Sequence, residues 1–187
     1  MGSSHSGSFF ARAFLAISLL ISASELLIAY LMQQRLFIMP CPLCIIQRYI
    51  LLLVAIFSFV AFFSKGCIRL IYMYMGLLSA FAGLCAALYQ VYIQIFPVQE
   101  EQCSVAVSNY LNDFFLARWF PDLFLSAGDC SVIQWRLFGV VTIPEISAFL
   151  FFTITALLSL SISYYKSAGC NSDGDKSGGC HSQSCKN

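Results

Sequence analysis

Four stretches of this chain are apolar and long enough to cross a lipid bilayer, and they restrict its fold more than any other feature. At about 1.5 Å of helix rise per residue, some twenty apolar residues cross about 30 Å of hydrocarbon. Residues 11–31, 45–63, 71–92 and 144–165 meet that requirement. In lipid the backbone must satisfy its own hydrogen bonds, so each run is read as a helix. The whole chain of 187 residues is 59% hydrophobic and only 10% charged, an excess of apolar surface for a soluble protein of this size. The first run is too long for a cleavable signal peptide and lacks a small-residue cleavage site, so it counts as a span. The expected fold is an all-α membrane protein, a four-helix transmembrane bundle.

An even number of spans puts both termini on one side. Arg12, Lys65, Arg69, Lys166, Lys176 and Lys186 fall on that side, against Arg35, Arg48, Arg118 and Arg136 on the other. Basic residues near span ends favour the cytoplasm, so six against four places both termini there. Residues 32–44 and 93–143 then form outward, periplasmic loops of a redox domain covering 1–166, and the Ser-, Gly- and Lys-rich residues 167–187 form a disordered cytoplasmic tail. The second outward loop is too long for a plain connector. Its aromatic residues Tyr110, Phe114, Phe115, Trp119, Phe120 and Phe124 make no clean helical stripe, yet they suit the headgroup level of a membrane.

This orientation also sorts the cysteines by compartment. Cys41, Cys44, Cys103 and Cys130 face outward, where disulfides persist, whereas Cys67, Cys170, Cys180 and Cys185 face a reducing cytoplasm and Cys85 lies within the third span. The segment Pro40-Cys41-Pro42-Leu43-Cys44-Ile45-Ile46-Gln47-Arg48 opens the second span. Proline favours the first helical position, which makes Cys41 the N-cap and Cys44 the third residue of the helix. Both sulfurs then lie at the positive end of the helix dipole, where thiolate is favoured over thiol. Arg48 follows one turn later on the same face and adds a fixed positive charge.

Each of these features has a plainer reading. A metal half-site would need a second ligand pair, and no outward histidine supplies one. A c-type haem motif fails because Ile45 stands where histidine is required. The Cys41–Cys44 loop is too short to stabilise much as a structural crosslink. Cys103 and Cys130 could form a structural disulfide, or a second redox pair that exchanges with the first. Glu25 in the first span could serve helix packing or redox chemistry, and Cys85 reads as a small core residue. Cys170, Cys180, His181 and Cys185 could bind a soft metal, although a loose tail makes incidental cysteines the simpler reading.

Taken together these motifs resemble the DsbB family of disulfide bond formation proteins. The matching residues are Glu25, Pro40-Cys41-Pro42-Leu43-Cys44 with Gln47-Arg48, Cys103, Gly128-Asp129-Cys130 with Gln134-Trp135, Gly139 and Pro144. Ile146 departs from the tryptophan often found after that proline, and the cysteine-bearing tail lies outside the resemblance. The resemblance implies an enzyme of the bacterial inner membrane that reoxidises a periplasmic thioredoxin-like oxidase, DsbA-like, and passes electrons to a quinone, ubiquinone or menaquinone. It implies that Cys103 forms the mixed disulfide with that partner, that Cys130 resolves it and exchanges with Cys41, and that Cys44 and Arg48 face the quinone. An inward electron importer would be the nearest alternative enzyme, but it would need cysteines paired between spans, and Cys85 is alone there. A membrane scaffold with two structural disulfides is the non-enzymatic alternative.

Overall fold

The computed structural model describes residues 3–36, 40–96, 101–113, 115–126, 128, 130, 136–137 and 141–170. Phe114, Asp129, Gln134, Trp135, Gly139, Cys180, His181 and Cys185 therefore lie outside the described residues. Four long helices, α1 (Ser3–Leu36), α2 (Pro42–Phe63), α3 (Gly66–Ile95) and α7 (Ile143–Cys170), are long and apolar enough to cross a membrane. Among the described residues between α3 and α7 are three short helices, α4 (Glu101–Asn112), α5 (Phe115–Trp119) and α6 (Pro121–Phe124), and two antiparallel strands of two residues each, β1 (Arg136–Leu137) and β2 (Val141–Thr142). All four long helices extend past the apolar runs read from the sequence. Helix α7 continues to Cys170, so residues 167–170 are helical rather than the start of the tail.

The starts and stops of these helices follow from local chemistry. Pro42 opens α2 with Cys41 as its N-cap, in extended backbone geometry. A turn at Gly66, whose φ of 62° suits a residue without a Cβ, lets α3 fold back beside α2. Helix α7 begins with a capping box: the Glu145 carboxylate accepts a hydrogen bond from the Thr142 backbone N–H at 2.7 Å.

The four long helices form a closed bundle in which α1 packs on α2 and α7, and α3 packs on α2 and α7. Leu15, Leu51, Val54, Met73, Phe151, Ile154 and Leu158 fill its interior. Small residues let the helices approach closely. A Cβ on Gly83 would meet the Phe151 ring at 2.2 Å, so α3 and α7 can pack as they do only with glycine there. Serines 18, 22, 58 and 161 are buried among the helices, and Ser161 Oγ bridges α7 to α1 by donating to Ala11 O at 2.9 Å. Glu25 is half-buried and hydrogen-bonded to Ser147 of α7, the helix-packing arrangement among its two sequence readings. The core reading of Cys85 is overturned: it lies on the outer face of α3, where a small thiol meets lipid.

The aromatic stretch lacks a single stripe because it is not a single helix. Breaks at Asp113 and Phe120 divide it, so its residues face several directions. Tyr110, Phe115, Trp119 and Phe120 are exposed, while Phe124 is buried against Tyr49 of α2, with ring centroids 4.6 Å apart. Ala117, Phe124, Leu111 and Leu123 form a second apolar cluster with Ile45, Tyr49 and Leu52. This cluster seats the long loop on the start of α2.

Candidate active site: a thiol cluster at the start of α2

Helix α2 brings its two cysteines together through its own first turn. The Cys44 backbone N–H donates to Cys41 Sγ at 3.4 Å, so the N-cap sulfur takes the place usually held by a serine or aspartate oxygen. The two sulfurs lie 3.0 Å apart, well beyond the ~2.05 Å of a disulfide. Both are thiols in this structure, and Cys41 is buried. Their placement is the one expected from Pro42 and the helix dipole.

The long loop delivers a third thiol. The Gly128 backbone N–H donates to Pro40 O at 3.0 Å, pinning the loop beside the start of α2. Ser126 anchors the same strand to α4: its N–H donates to Asn112 Oδ1 at 2.8 Å, and its carbonyl accepts from Asn112 Nδ2 at 3.0 Å and Ser108 Oγ at 3.1 Å. Cys130 then reaches the pair and hydrogen-bonds to Cys41. Hydrogen bonding to Cys130 and Cys44, together with burial, holds the Cys41 thiol above its ordinary pKa.

Arg48 lies one turn beyond Cys44 and is largely buried, within electrostatic reach of both sulfurs of the pair. Its Nη1 donates to Gln33 Oε1 at 2.8 Å and to the Leu123 carbonyl. The arginine therefore ties α1 and the loop to the helix that carries the cysteines. Cys103 is placed in the first turn of α4, and Arg136 in β1.

Two residues near the sulfurs had no role assigned from the sequence. Gln90 Nε2, from the far end of α3, donates to Cys44 Sγ at 3.1 Å and to Cys41 Sγ at 3.3 Å. Gln47 Nε2 in turn donates to Gln90 Oε1 at 2.9 Å. The available signal was an amide inside an otherwise apolar span, because a buried amide needs partners. Nothing in the sequence said that those partners would be sulfurs.

Three thiols, an arginine and an amide thus converge where a soluble loop meets a membrane helix. That arrangement can pass a disulfide from the loop thiol Cys130 to the Cys41/Cys44 pair by thiolate attack on sulfur. Comparison with known proteins agrees. The family profile described as "Disulfide bond formation protein DsbB" matches residues 11–161. The chain belongs to the DsbB family. It is similar to Disulfide bond formation protein B of Nitrosospira multiformis, with 34% identity over 67% of this chain and 74% of that protein. The protein of the same name from Pasteurella multocida is 34% identical over 76% of this chain and 81% of its own length. That from Polaromonas is 33% identical over 80% and 88%. As a DsbB family member with four membrane-crossing helices, the chain is a multi-pass disulfide-forming oxidoreductase.

Proposed function

We propose that this DsbB family member is a protein-dithiol:quinone oxidoreductase of the bacterial inner membrane that reoxidises a periplasmic DsbA-like thiol oxidase. The observation that carries this reading is the hydrogen bond between Cys130, on the long loop, and Cys41, at the membrane helix. A structural loop disulfide would have no need to bring one of its cysteines to a second thiol pair. The basic residues at the span ends support cytoplasmic termini, with the cluster on the periplasmic side and the residues after α7 as a cytoplasmic tail.

The reaction begins with Cys103 joined to Cys130 and Cys41 joined to Cys44. A thiolate of the reduced partner attacks Cys103 Sγ; a mixed disulfide forms, and the electron pair of the broken bond leaves on Cys130. Cys130 attacks Cys41 Sγ, forming a Cys41–Cys130 bond and releasing Cys44 as the thiolate. The partner's second thiolate then displaces Cys103, and the oxidised partner leaves. Cys103 attacks Cys130, restoring the loop disulfide and releasing Cys41, which takes up a proton.

The site suits a quinone. Arg48 has only Nη1 engaged among the described residues, leaving Nε and Nη2 for an acceptor oxygen beside Cys44. A bound quinone supplies the two-electron acceptor needed to re-form the Cys41–Cys44 disulfide. Arg48 and Cys44 are the residues that would hold it, and the fixed guanidinium favours negative charge at that point. The test is quinone reduction by the purified protein supplied with a reduced DsbA-like partner, with ubiquinone and menaquinone analogues compared. Partner-dependent reduction of either analogue is expected, and none with both overturns the reading.

A further inference from the structure

We propose that Gln90 stabilises the thiolate that forms in the Cys41/Cys44 pair, and that Gln47 acts as a positioning residue by fixing which way the Gln90 amide faces. This deepens, and rests on, the assignment of that pair as the redox centre. A side-chain amide carries an acceptor on one side and donors on the other, and it can turn either toward a neighbour. Here the choice is made by Gln47, whose Nε2 donates to Gln90 Oε1 at 2.9 Å. With its carbonyl engaged, Gln90 presents its NH₂ group to the sulfurs, 3.1 Å from Cys44 Sγ and 3.3 Å from Cys41 Sγ. Both glutamines are buried, Gln90 at 2% and Gln47 at 5% exposure, so water does not compete for these bonds.

An N–H donor strengthens its hydrogen bond when the acceptor becomes an anion. When Cys130 displaces Cys44 from the disulfide, the electron pair arrives on Cys44, and the Gln90 donor is already in place. Because the same NH₂ group reaches both sulfurs, it can also serve negative charge on Cys41. Arg48 supplies charge from the helix that carries the cysteines, whereas Gln90 supplies a directed donor from α3. The two contributions are separable by mutation.

The test is the pH profile of iodoacetamide alkylation of Cys44 in the full-length, reduced protein, with the labelled cysteine identified by mass spectrometry. This readout requires neither quinone nor partner. Gln90→Leu should raise the alkylation midpoint by about one pH unit, a tenfold loss of thiolate at a fixed lower pH. Gln90→Glu, which preserves size and removes the donors, should move it in the same direction and tests the idea even if the leucine variant misfolds. Gln47→Leu, which adds no charge, should produce a smaller rise because Gln90 is then free to turn. An unchanged midpoint in folded Gln90→Leu or Gln90→Glu overturns the proposal. A shift in those variants with none in Gln47→Leu overturns the positioning role of Gln47. If wild-type protein reduces no quinone while the midpoints still shift, the oxidoreductase reading fails and the amide's effect on the thiolate stands.

Discussion

Two arginines are buried beside α2, one at each end, and they meet opposite electrical environments. Arg69, 3% exposed, donates through Nε to Ser64 O at 2.8 Å and Ala61 O at 3.2 Å, the carbonyls that close α2. Its guanidinium also lies 5.4 Å from the Tyr165 ring centroid. A cation at the negative end of a helix, bonded to its last carbonyls, is stabilising in itself. Arg48 occupies the second turn of the same helix, at the positive end, where the dipole disfavours a cation. Among the described residues, its hydrogen-bond acceptors are a neutral amide and a neutral carbonyl. Arg69 is explained by the fold, whereas the role proposed for Arg48 gives it a charged partner when negative charge develops on sulfur or on a bound acceptor.

The largest expected effect breaks the comparison at its centre. Cys41→Ser or Cys44→Ser should abolish quinone reduction while leaving the bundle folded, because neither sulfur belongs to the interior cluster of α1, α2, α3 and α7. Circular dichroism and quinone kinetics on the same preparations check this, and normal turnover in both variants would remove the pair from the chemistry.

Separating the loop from the helix should come next. Cys103→Ser or Cys130→Ser should stop oxidation of the DsbA-like partner while the Cys41/Cys44 pair still reacts with quinone when reduced by a small dithiol. Cys130→Ser mixed with the oxidised partner should also accumulate a mixed disulfide, visible on non-reducing gels, because the Cys103 thiolate attacks the partner's disulfide and no Cys130 is present to displace the partner. Partner oxidation at the wild-type rate would make the loop pair structural.

The two arginines themselves give the sharpest contrast. Loss of one charge-assisted hydrogen bond is worth about 1.5–3 kcal/mol, so Arg48→Met should raise the quinone KM at least about tenfold. Arg48→Lys should retain partial activity. Arg69→Met should leave that KM unchanged and instead lower the melting temperature, because it uncaps the end of α2. Arg136→Met, on β1, should change neither. Equal quinone kinetics for wild type and Arg48→Met would reduce Arg48 to a second structural arginine.

The smallest effect is a pH dependence of the reduced protein. The Cys41 thiol is held well above its ordinary pKa by its hydrogen bonds to Cys130 and Cys44 and by burial. An unfolded chain loses that proton from about pH 8.5 upward, before the folded one does. The stability linked to Cys41 is therefore complete below about pH 8.5 and declines as pH rises toward the folded-state value. Thermal melts of reduced wild type should fall more steeply above pH ~9 than those of Cys41→Ser. Parallel curves would show that Cys41 ionises as it does in the unfolded chain.

The sequence by itself determined the four spans, because crossing a bilayer requires length and apolarity that only those runs possess. It also determined the first turn of α2, since Pro42 fixes the helix start and thereby makes Cys41 the cap and Cys44 the third residue. Those are local consequences of backbone geometry and carry no information about what approaches from elsewhere. Only the tertiary structure decided that Cys130 reaches Cys41, because that contact depends on Gly128 binding Pro40 O, on Asn112 holding Ser126, and on Phe124 packing against Tyr49. It likewise decided the Gln47–Gln90 pair, whose members lie forty-three residues apart on two helices. A glutamine in an apolar span announces that it needs partners, but which partners it finds depends on how α3 is rotated and set against α2. That placement follows from packing throughout the bundle, from Gly83 beneath Phe151 to Gly66 at the turn, and no short motif encodes it.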